Sequence, residues 1–261
     1  MTTGLRFAAN LKWLFTTVPF AERFDVAAAA GFTGVEVPDP YGLPVDQLRR
    51  RLADAGLAPV LFNTPAGPKG SATEFGQACL PGHVEEFRTA VSLGLEYTAA
   101  VGCPLLHIVA GRVAPDEDRD RAMACYADNI AWAATQARDA SVDLVLEMQN
   151  QRSAPGFLLR SQAEAQAVAA AVGQPVGLLF DFFHTQVAEG DVTTVFDGVL
   201  PWIKHIQIGD GPGRTEPCTG ELSWPFVFEH IRASGFDGWL GCEFQPAGPS
   251  EQVLTRLGRL V

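Results

Sequence analysis

Four short apolar runs in the second half of the chain each contain, near their C-terminal end, a side chain that can bind a hard metal ion. The runs LVLEMQN, GLLFDFFH, KHIQIGD and LGCEFQP supply Glu147, Asp181, Gln207 and Glu243 respectively. A carboxylate in a hydrophobic run is costly to bury unless a counter-charge pairs with it, and a bound cation is one such partner. Because oxygen ligands favour Mg²⁺ or Mn²⁺ over zinc, the four residues predict a site for one of these two ions.

The spacing of these four residues indicates how the chain can bring them together. Separations of 34, 26 and 36 residues are each about the length of one strand–helix unit, so the residues fall on successive strands. In a barrel of parallel strands, the C-terminal strand ends meet on one face, where active sites lie. A single acid at a strand end is as often a helix cap or the partner of a nearby arginine, but four together favour a metal site.

Strand-like and helix-like segments alternate along the chain. The predicted strands are short and apolar on both faces, as parallel strands covered by helices should be. They span residues 5–11, 34–38, 58–64, 104–111, 143–150, 176–184, 203–210 and 239–246. The intervening segments have apolar residues at helical spacing, and two of them end on Gly31 and Gly56, as helix C-caps do. Eight strands and about eight helices predict one α/β domain over 1–261, a (β/α)₈ TIM barrel; the runner-up, a doubly wound sheet, lacks its phosphate-binding glycine loop.

Composition narrows the class of protein further. A net charge of −11 argues against nucleic acid as a partner. No apolar stretch reaches the roughly 18 residues of a membrane span, and the N-terminus has no signal-peptide pattern, so we expect no membrane partner and a cytoplasmic location. The five cysteines are odd in number and scattered, which fits reduced thiols in that compartment.

Seven stretches between residues 7 and 246 are shared with a known family of barrel enzymes. They are FAANLKWLF, VPFAERFDVAAAAGFTGVE, LFNTPAG, HIVAG, DFFHTQVAEGD, HIQIGDGPGRTEPCTGEL and GFDGWLGCEFQP. In these stretches the chain resembles the hydroxypyruvate isomerases, which are xylose-isomerase-like TIM barrels. The resemblance implies a Mg²⁺- or Mn²⁺-assisted conversion of hydroxypyruvate to tartronate semialdehyde, with 2-oxo-tetronates as the substrates of some members. It also implies a homo-oligomer, either a dimer or a tetramer.

The resemblance assigns roles to the four strand-end residues. It implies that Glu147, Asp181, Gln207 and Glu243 bind the metal and that the two glutamates also act as the acid/base pair. Isomerisation removes a proton from one carbon and returns one to its neighbour through a cis-enediolate, so two carboxylates can serve the two carbons while a metal stabilises the charge. Which glutamate takes the proton first stays open.

Six further polar residues are predicted to bind the substrate: His184, Arg214, Lys12, Asn63, His107 and Glu216. Arg214 has a planar fork that suits a substrate carboxylate, although an ion pair with Glu216 or Glu221 is an equal alternative. His107 fits either the rim or the core, and His205 is expected in the core or behind the ligands.

Three positions depart from the pattern of the family, namely Lys12, Asp39 and Gln245. Lys12 could replace the cation that the family usually carries where Gln245 stands, and Asp39 could be its partner. These departures leave the metal chemistry intact but open the identity of the substrate.

Other functions remain as alternatives. A ketose 3-epimerase would use the same metal and glutamates on a neutral sugar. An abasic-site endonuclease would need zinc-binding histidines and a basic face, which five histidines and the negative net charge do not favour. A barrel that only binds a ligand would be expected to lack a metal ligand or a catalytic glutamate.

Overall fold

The computed structural model describes residues 4–260, whose strands close into a single parallel barrel. The strands are β1 (Arg6–Asn10), β2 (Gly34–Val37), β3 (Ala58–Asn63), β4 (Leu105–His107), β5 (Asp143–Leu146), β6 (Val176–Asp181), β7 (Ile203–Ile208) and β8 (Trp239–Cys242). Each strand pairs with the next one along the chain, and β8 pairs with β1, with Phe7 opposite Leu240. The predicted TIM barrel is confirmed, and closure of the sheet excludes the doubly wound alternative.

Nine α-helices of the described part of the chain connect the strands and follow the last one. They are α1 (Arg23–Ala29), α2 (Val45–Ala55), α3 (Val84–Val101), α4 (Arg119–Ala140), α5 (Gln162–Val172), α6 (Phe182–Ala188), α7 (Val192–Val199), α8 (Trp224–Ala233) and α9 (Val253–Leu257). As expected for a C-cap glycine, Gly56 follows α2 with a φ of 65°. Along residues 4–260, none of the helices combines the length and apolar character needed to cross a bilayer.

The connection after β6 corrects the predicted secondary structure. The strand predicted over 176–184 ends at Asp181, and α6 begins at the next residue. The Asp181 carboxylate accepts hydrogen bonds from the backbone N–H groups of Phe183 (2.8 Å) and His184 (3.2 Å), so it caps this helix. Asp181 ends the strand earlier than its apolar pattern indicates, because its carboxylate caps α6. The connection to β7 then contains two helices, α6 and α7.

The two faces of the strands explain why the polar residues gather at one end of the barrel. Successive side chains of a strand point to opposite faces, so residues two apart share a face. Leu61, Leu105, Val145 and Leu179 form most of a small apolar cluster. Asn63, His107, Glu147 and Asp181 stand two residues further along the same chain segments. The inward-facing side chains are therefore apolar in the interior of the barrel and polar at the C-terminal ends of the strands.

Candidate active site

A cavity of about 930 Å³ opens at the C-terminal ends of the strands. All but two of the ten predicted site residues line it, the exceptions being Asp181 and Glu216. The residues of the predicted set that do line it are Lys12, Asn63, His107, Glu147, His184, Gln207, Arg214 and Glu243. The structure thus brings side chains from most of the strands into one cavity, where substrates bind in barrels of this kind.

Carboxylates from β6 and β8 converge on the guanidinium of Arg214, which lies in the connection after β7. Arg214 Nη2 is 2.5 Å from Asp181 Oδ2 and 2.9 Å from Glu243 Oε2. Asp181 is almost completely buried and is not among the residues that line the cavity. The alternative in which Arg214 pairs with Glu216 or Glu221 is therefore wrong, because the guanidinium pairs with two acids of the strand ends instead.

Glu147 approaches the same cluster from the end of β5. Its Oε1 lies 3.9 Å from His184 Nε2, and atoms of Glu147, Asp181 and His184 lie within 4.8 Å of one another. Gln149 Nε2 donates to Glu147 Oε2 at 2.7 Å, and Trp13 Nε1 donates to Glu243 Oε1 at 3.0 Å. Both glutamates are therefore held by a neighbouring donor while their carboxylates face the cavity.

The cluster strongly perturbs its own ionisation. Burial, together with the negative charges of Asp181 and Glu243, raises the pKa of Glu147 well above its usual value. Burial also raises the pKa of Asp181, although Arg214 and the helix N–H groups oppose that shift. Burial alone would lower the pKa of Arg214, but the surrounding carboxylates outweigh it and the pKa is raised. The carboxylates therefore require a positive charge to stay ionised together.

The hydrogen bonds of His184 determine which of its nitrogens carries the proton. Its Nδ1 accepts the backbone N–H of Asn150 (3.1 Å), and the Asn150 side-chain amide also points at it (2.8 Å). Asn150 Oδ1 in turn accepts from the backbone and hydroxyl of Ser153, which fixes the amide orientation. Burial, Arg214 and His107 lower the pKa of His184 well below its usual value, so the ring is neutral and carries its proton on Nε2.

This tautomer has two consequences for the cluster. The Nε2–H group of His184 is a hydrogen-bond donor, so it suits a substrate oxygen and not a metal ion. It also faces Arg214 Nη1 at 2.8 Å, which places two donors against each other. The guanidinium is therefore held in the cluster by Asp181 and Glu243 against an unfavourable contact with His184.

The buried His107 and the half-buried Asn63 form a pair at the edge of the cavity. His107 Nδ1 lies 3.2 Å from Asn63 Oδ1, and His107 Nε2 lies 3.7 Å from Glu147 Oε2. Burial, with a smaller contribution from His205, lowers the pKa of His107 to about 3, so this ring is neutral. Its position decides between the two sequence alternatives in favour of the rim, since the side chain lines the cavity.

The structure places Glu216 away from the cavity. Its carboxylate accepts from Arg256 Nε (2.5 Å) and Nη2 (2.7 Å) and from the backbone N–H of Ala247 (2.9 Å). These bonds tie the connection after β7 to α9. The geometry therefore does not support the prediction that Glu216 binds substrate. Its carboxylate is occupied by Arg256 and Ala247, and it does not line the cavity.

At the three positions that depart from the family pattern, the contacts in the structure differ from those expected from the sequence. Lys12 and Asp39 both line the cavity, but among the ion pairs of the described residues none joins them. Gln245 is exposed and its backbone N–H donates to the carbonyl of Arg214 (2.8 Å), outside the cavity lining. Lys12 therefore offers the cavity a positive charge without the predicted partner.

Sequence reasoning missed Glu36, a fully buried acid on β2. Its carboxylate contacts His205 Nε2 and accepts from Asn10 Nδ2 at 2.6 Å. Gln207 Nε2 lies 3.3 Å from each of its two oxygens. The available signal was the acid in the apolar run GVEVP, which is the same signal that singled out Glu147.

The donor set fits a divalent cation. Three acids and the amide oxygen of Gln207 are the oxygen ligands that Mg²⁺ and Mn²⁺ prefer. Gln207 Oε1 is buried and, among the described residues, has no hydrogen-bond partner. Two of the acids already share the charge of one cation, Arg214. A buried, unpartnered amide oxygen and an excess of negative charge at the same end of the barrel both suit a set of metal ligands.

Comparison with known proteins agrees with the fold. Residues 24–259 match the family model described as xylose isomerase-like TIM barrel. The chain is 41% identical over 247 residues to the 2-oxo-tetronate isomerase of Cupriavidus necator, covering 94% of this chain and 95% of that protein. It is 35% identical over 251 residues to the hydroxypyruvate isomerase of Escherichia coli, covering 96% and 97%.

Solved structures of similar proteins have the same barrel fold. A crystal structure from Brucella melitensis, described as an AP endonuclease of family 2, superposes with a TM-score of 0.92 at 36% identity and covers 98% of both chains. An L-ribulose 3-epimerase superposes with a TM-score of 0.80 at 18% identity, covering 99% of this chain and 94% of that one, which shows the shared fold. The chain belongs to the xylose isomerase-like TIM barrel family. Within that family its curated relatives are isomerases, and this chain is an isomerase as well.

Proposed function

We propose that the protein is a Mg²⁺- or Mn²⁺-dependent aldose–ketose isomerase of a small hydroxy-oxo acid, with hydroxypyruvate and tartronate semialdehyde as the interconverted pair. The observation that carries this proposal is the convergence of three strand-end carboxylates, together with the unpartnered Oε1 of Gln207, which lines the same cavity as Glu147 and Glu243. Glu147, Asp181, Gln207 and Glu243 are the residues that would hold the cation. When bound, such an ion stabilises the negative charge that develops on the substrate oxygens.

The two glutamates suit the proton transfers of the reaction. The substrate carbonyl moves to the neighbouring carbon when a proton leaves the hydroxyl-bearing carbon and a proton is added to the former carbonyl carbon. The hydroxyl proton passes at the same time to the former carbonyl oxygen, which becomes the new hydroxyl group. Glu147 and Glu243 follow β5 and β8, three strands apart around the barrel, and both line the cavity. Each carboxylate can therefore take or return a proton at one of the two reacting carbons of a substrate bound in this cavity.

The remaining polar groups of the cavity suit a charged, oxygen-rich substrate. His184 presents its Nε2–H as a donor to a substrate oxygen on which negative charge develops. Arg214 is available to a substrate carboxylate once another cation neutralises Asp181 and Glu243, and its exit also ends the donor–donor contact with His184. Lys12 adds a second positive charge to the lining.

A four-carbon 2-oxo-tetronate is the second candidate substrate. The relatives named 2-oxo-tetronate isomerase from Cupriavidus necator and Pectobacterium atrosepticum are 41% and 38% identical, compared with 35% for the hydroxypyruvate isomerase of Escherichia coli. A neutral ketose, the substrate of an epimerase, is less favoured because the cavity carries the cations Lys12, Arg152 and Arg214. DNA is less favoured still, because the net charge of −11 opposes a polyanion.

The proposal is tested by NMR in D₂O on protein stripped with EDTA. Hydroxypyruvate, a 2-oxo-tetronate and a neutral ketose are each supplied with and without Mg²⁺ or Mn²⁺. We expect a metal-dependent product that carries deuterium at the new C–H position. Glu147→Gln and Glu243→Gln should each lower the rate by at least about 10²-fold, because each removes one positioned proton carrier.

Glu229→Gln is the matched control, since Glu229 is an exposed acid on α8 that pairs with Arg232 on its own helix. This variant should turn over like the wild type. Equal rates in EDTA and in metal would contradict metal dependence. Full activity in either active-site variant would contradict the acid/base assignment, and turnover of the ketose alone would move the substrate class to neutral sugars.

A further inference from the structure

Glu36 is a buried acid that the proposed reaction does not use directly. Its side chain enters the barrel interior from β2 and is fully buried. The carboxylate is surrounded by donors from the first and seventh strands, namely Asn10, His205 and Gln207. A buried carboxylate with this many partners is a built feature of the interior, because an unpaired one would be strongly destabilising.

The barrel also makes space for this carboxylate. Gly241 on β8 stands opposite Gln207 in the strand register. A Cβ atom at position 241 would lie 1.9 Å from Glu36 Oε1, closer than any real contact. Since the same strand ends carry the proposed ligands, the absence of a side chain at Gly241 lets the Glu36 carboxylate sit directly beside Gln207.

The contact with Glu36 decides the orientation of the Gln207 amide. Gln207 Nε2 lies 3.3 Å from both carboxylate oxygens, so the amide donates towards the centre of the carboxylate. Rotating the amide by half a turn would place its oxygen at that distance from two negatively charged oxygens. Glu36 therefore excludes the rotated form, as hydrogen-bond networks do for side-chain amides.

The excluded rotation leaves one role for the amide oxygen. Gln207 Oε1 points away from Glu36, and Gln207 lines the active-site cavity. That oxygen is buried and has no partner among the described residues. A donor to this oxygen would be expected if Gln207 served the core alone.

We propose that Glu36 is a positioning residue that holds the Gln207 amide with its oxygen presented to the divalent cation. The inference rests on the proposed metal site and extends it to the residue behind one ligand. Partners behind a metal ligand orient it and typically change metal affinity by about 10–100-fold when they are removed. Glu36 therefore contributes to cation binding without touching the cation or the substrate.

The test measures Mn²⁺ binding to EDTA-stripped protein by electron paramagnetic resonance, independently of activity. Glu36→Gln should weaken binding by about 10–100-fold, because its new amide NH₂ requires an acceptor and turns the Gln207 oxygen towards itself. Gln207→Ala should weaken binding at least as much. Glu229→Gln, an exposed change of the same type, should leave binding unchanged.

A reversed pair separates positioning from a general need for Glu36 in the fold. Gln207→Glu alone places two carboxylates against each other and should lower the melting temperature. Adding Glu36→Gln to it restores one donor and one carboxylate, so it should raise the melting temperature and return Mn²⁺ binding to within about tenfold of the wild type. The effect of Glu36→Gln on Mn²⁺ affinity thus reverses its sign between the two backgrounds, which a role in the fold alone would not produce. The rise in melting temperature shows only that the repulsion between the two carboxylates has been removed.

The outcomes distinguish the two proposals. Unchanged Mn²⁺ affinity in Gln207→Ala would overturn the proposed ligand set itself. Weak binding in Gln207→Ala with unchanged binding in Glu36→Gln would overturn the role of Glu36 and leave the metal site standing. If Glu36→Gln does not fold, the reversed pair decides: binding no stronger than that of Gln207→Ala overturns the inference.

Discussion

Replacing Arg214 with alanine should destabilise the metal-free protein and make its stability depend on added cation. Arg214 is the cation shared by Asp181 and Glu243 at 2.5 Å and 2.9 Å, and its guanidinium lies over the rings of Trp13 and Phe183 at 5.3 Å and 5.0 Å. Removing one partner of a buried ion pair typically costs roughly 3–5 kcal/mol.

The contact of Arg214 with His184 sets the expected loss at the lower end of that range. Two donors 2.8 Å apart oppose each other, so their separation returns part of the lost free energy. We therefore expect a loss of about 3 kcal/mol, which corresponds to a fall in melting temperature of roughly 6–12 °C for a domain of this size. Differential scanning calorimetry in EDTA measures this change.

Added Mn²⁺ should then separate the variant from the wild type. A ligand at 100 times its dissociation constant stabilises a folded protein by about 2.7 kcal/mol. The variant should gain more from the same Mn²⁺ concentration, because the wild type must first displace its own guanidinium from the carboxylates. Arg49→Ala is the control, since Arg49 pairs with Asp46 on the surface and such pairs contribute only about 0–1 kcal/mol.

Two results would refute this reasoning. One is a melting temperature of Arg214→Ala in EDTA equal to that of the Arg49→Ala control, which would show that the guanidinium does not neutralise the cluster. The other is an equal gain from Mn²⁺ in variant and wild type, which would show that the cation and Arg214 do not compete for the same carboxylates.

Three further predictions concern other parts of the fold. Gly241→Ala should lower stability by about 1–3 kcal/mol in denaturant titrations, because its methyl group clashes with the fully buried Glu36. Gly177→Ala should cost less, because it meets Lys204, which is only half-buried and has more room to move; equal losses would contradict this. Arg256→Met leaves the buried Glu216 carboxylate without its cation, so it should lower the free energy of unfolding by about 1–3 kcal/mol in the same titrations. The KM for substrate should stay unchanged, and a large rise in KM would return Glu216 to the substrate site. Three of the five thiols are buried, and burial raises the pKa of one of them, Cys103, to about 12. Ellman's reagent at pH 8 should therefore react quickly with at most two thiols in the native protein and with five after unfolding. A third fast thiol would be inconsistent with the fold.

The architecture and the position of the acids could be predicted because both depend on local patterns. Apolar runs of strand length that alternate with helical periodicity specify a (β/α)₈ barrel. An acid at the end of such a run lies at the C-terminal face, whichever strands are its neighbours. The sequence alone therefore places Glu147, Asp181 and Glu243 at strand ends, where the structure has them.

The error at β6 and the misplacement of Glu216 have a different origin. Asp181 ends its strand by capping α6, a choice between two local structures that the apolar residues Phe182 and Phe183 permit equally. Glu216 pairs with Arg256, 40 residues away along the chain, and no local sequence pattern near either residue predicts that contact. Both outcomes depend on which hydrogen-bond donors the folded chain brings to a carboxylate.

The sequence by itself determined the barrel, the strand-end acids and the family, because periodicity and motif spacing act over one or two structural elements. Only the tertiary structure decided that Arg214 neutralises the acids, that Asn150 sets the tautomer of His184, and that Glu36 orients Gln207. Glu36 and Gln207 are 171 residues apart along the chain and 3.3 Å apart in space. The physical reason is closure of the barrel, which places side chains from strands distant in sequence in one low-dielectric interior, where each buried polar group must find a partner.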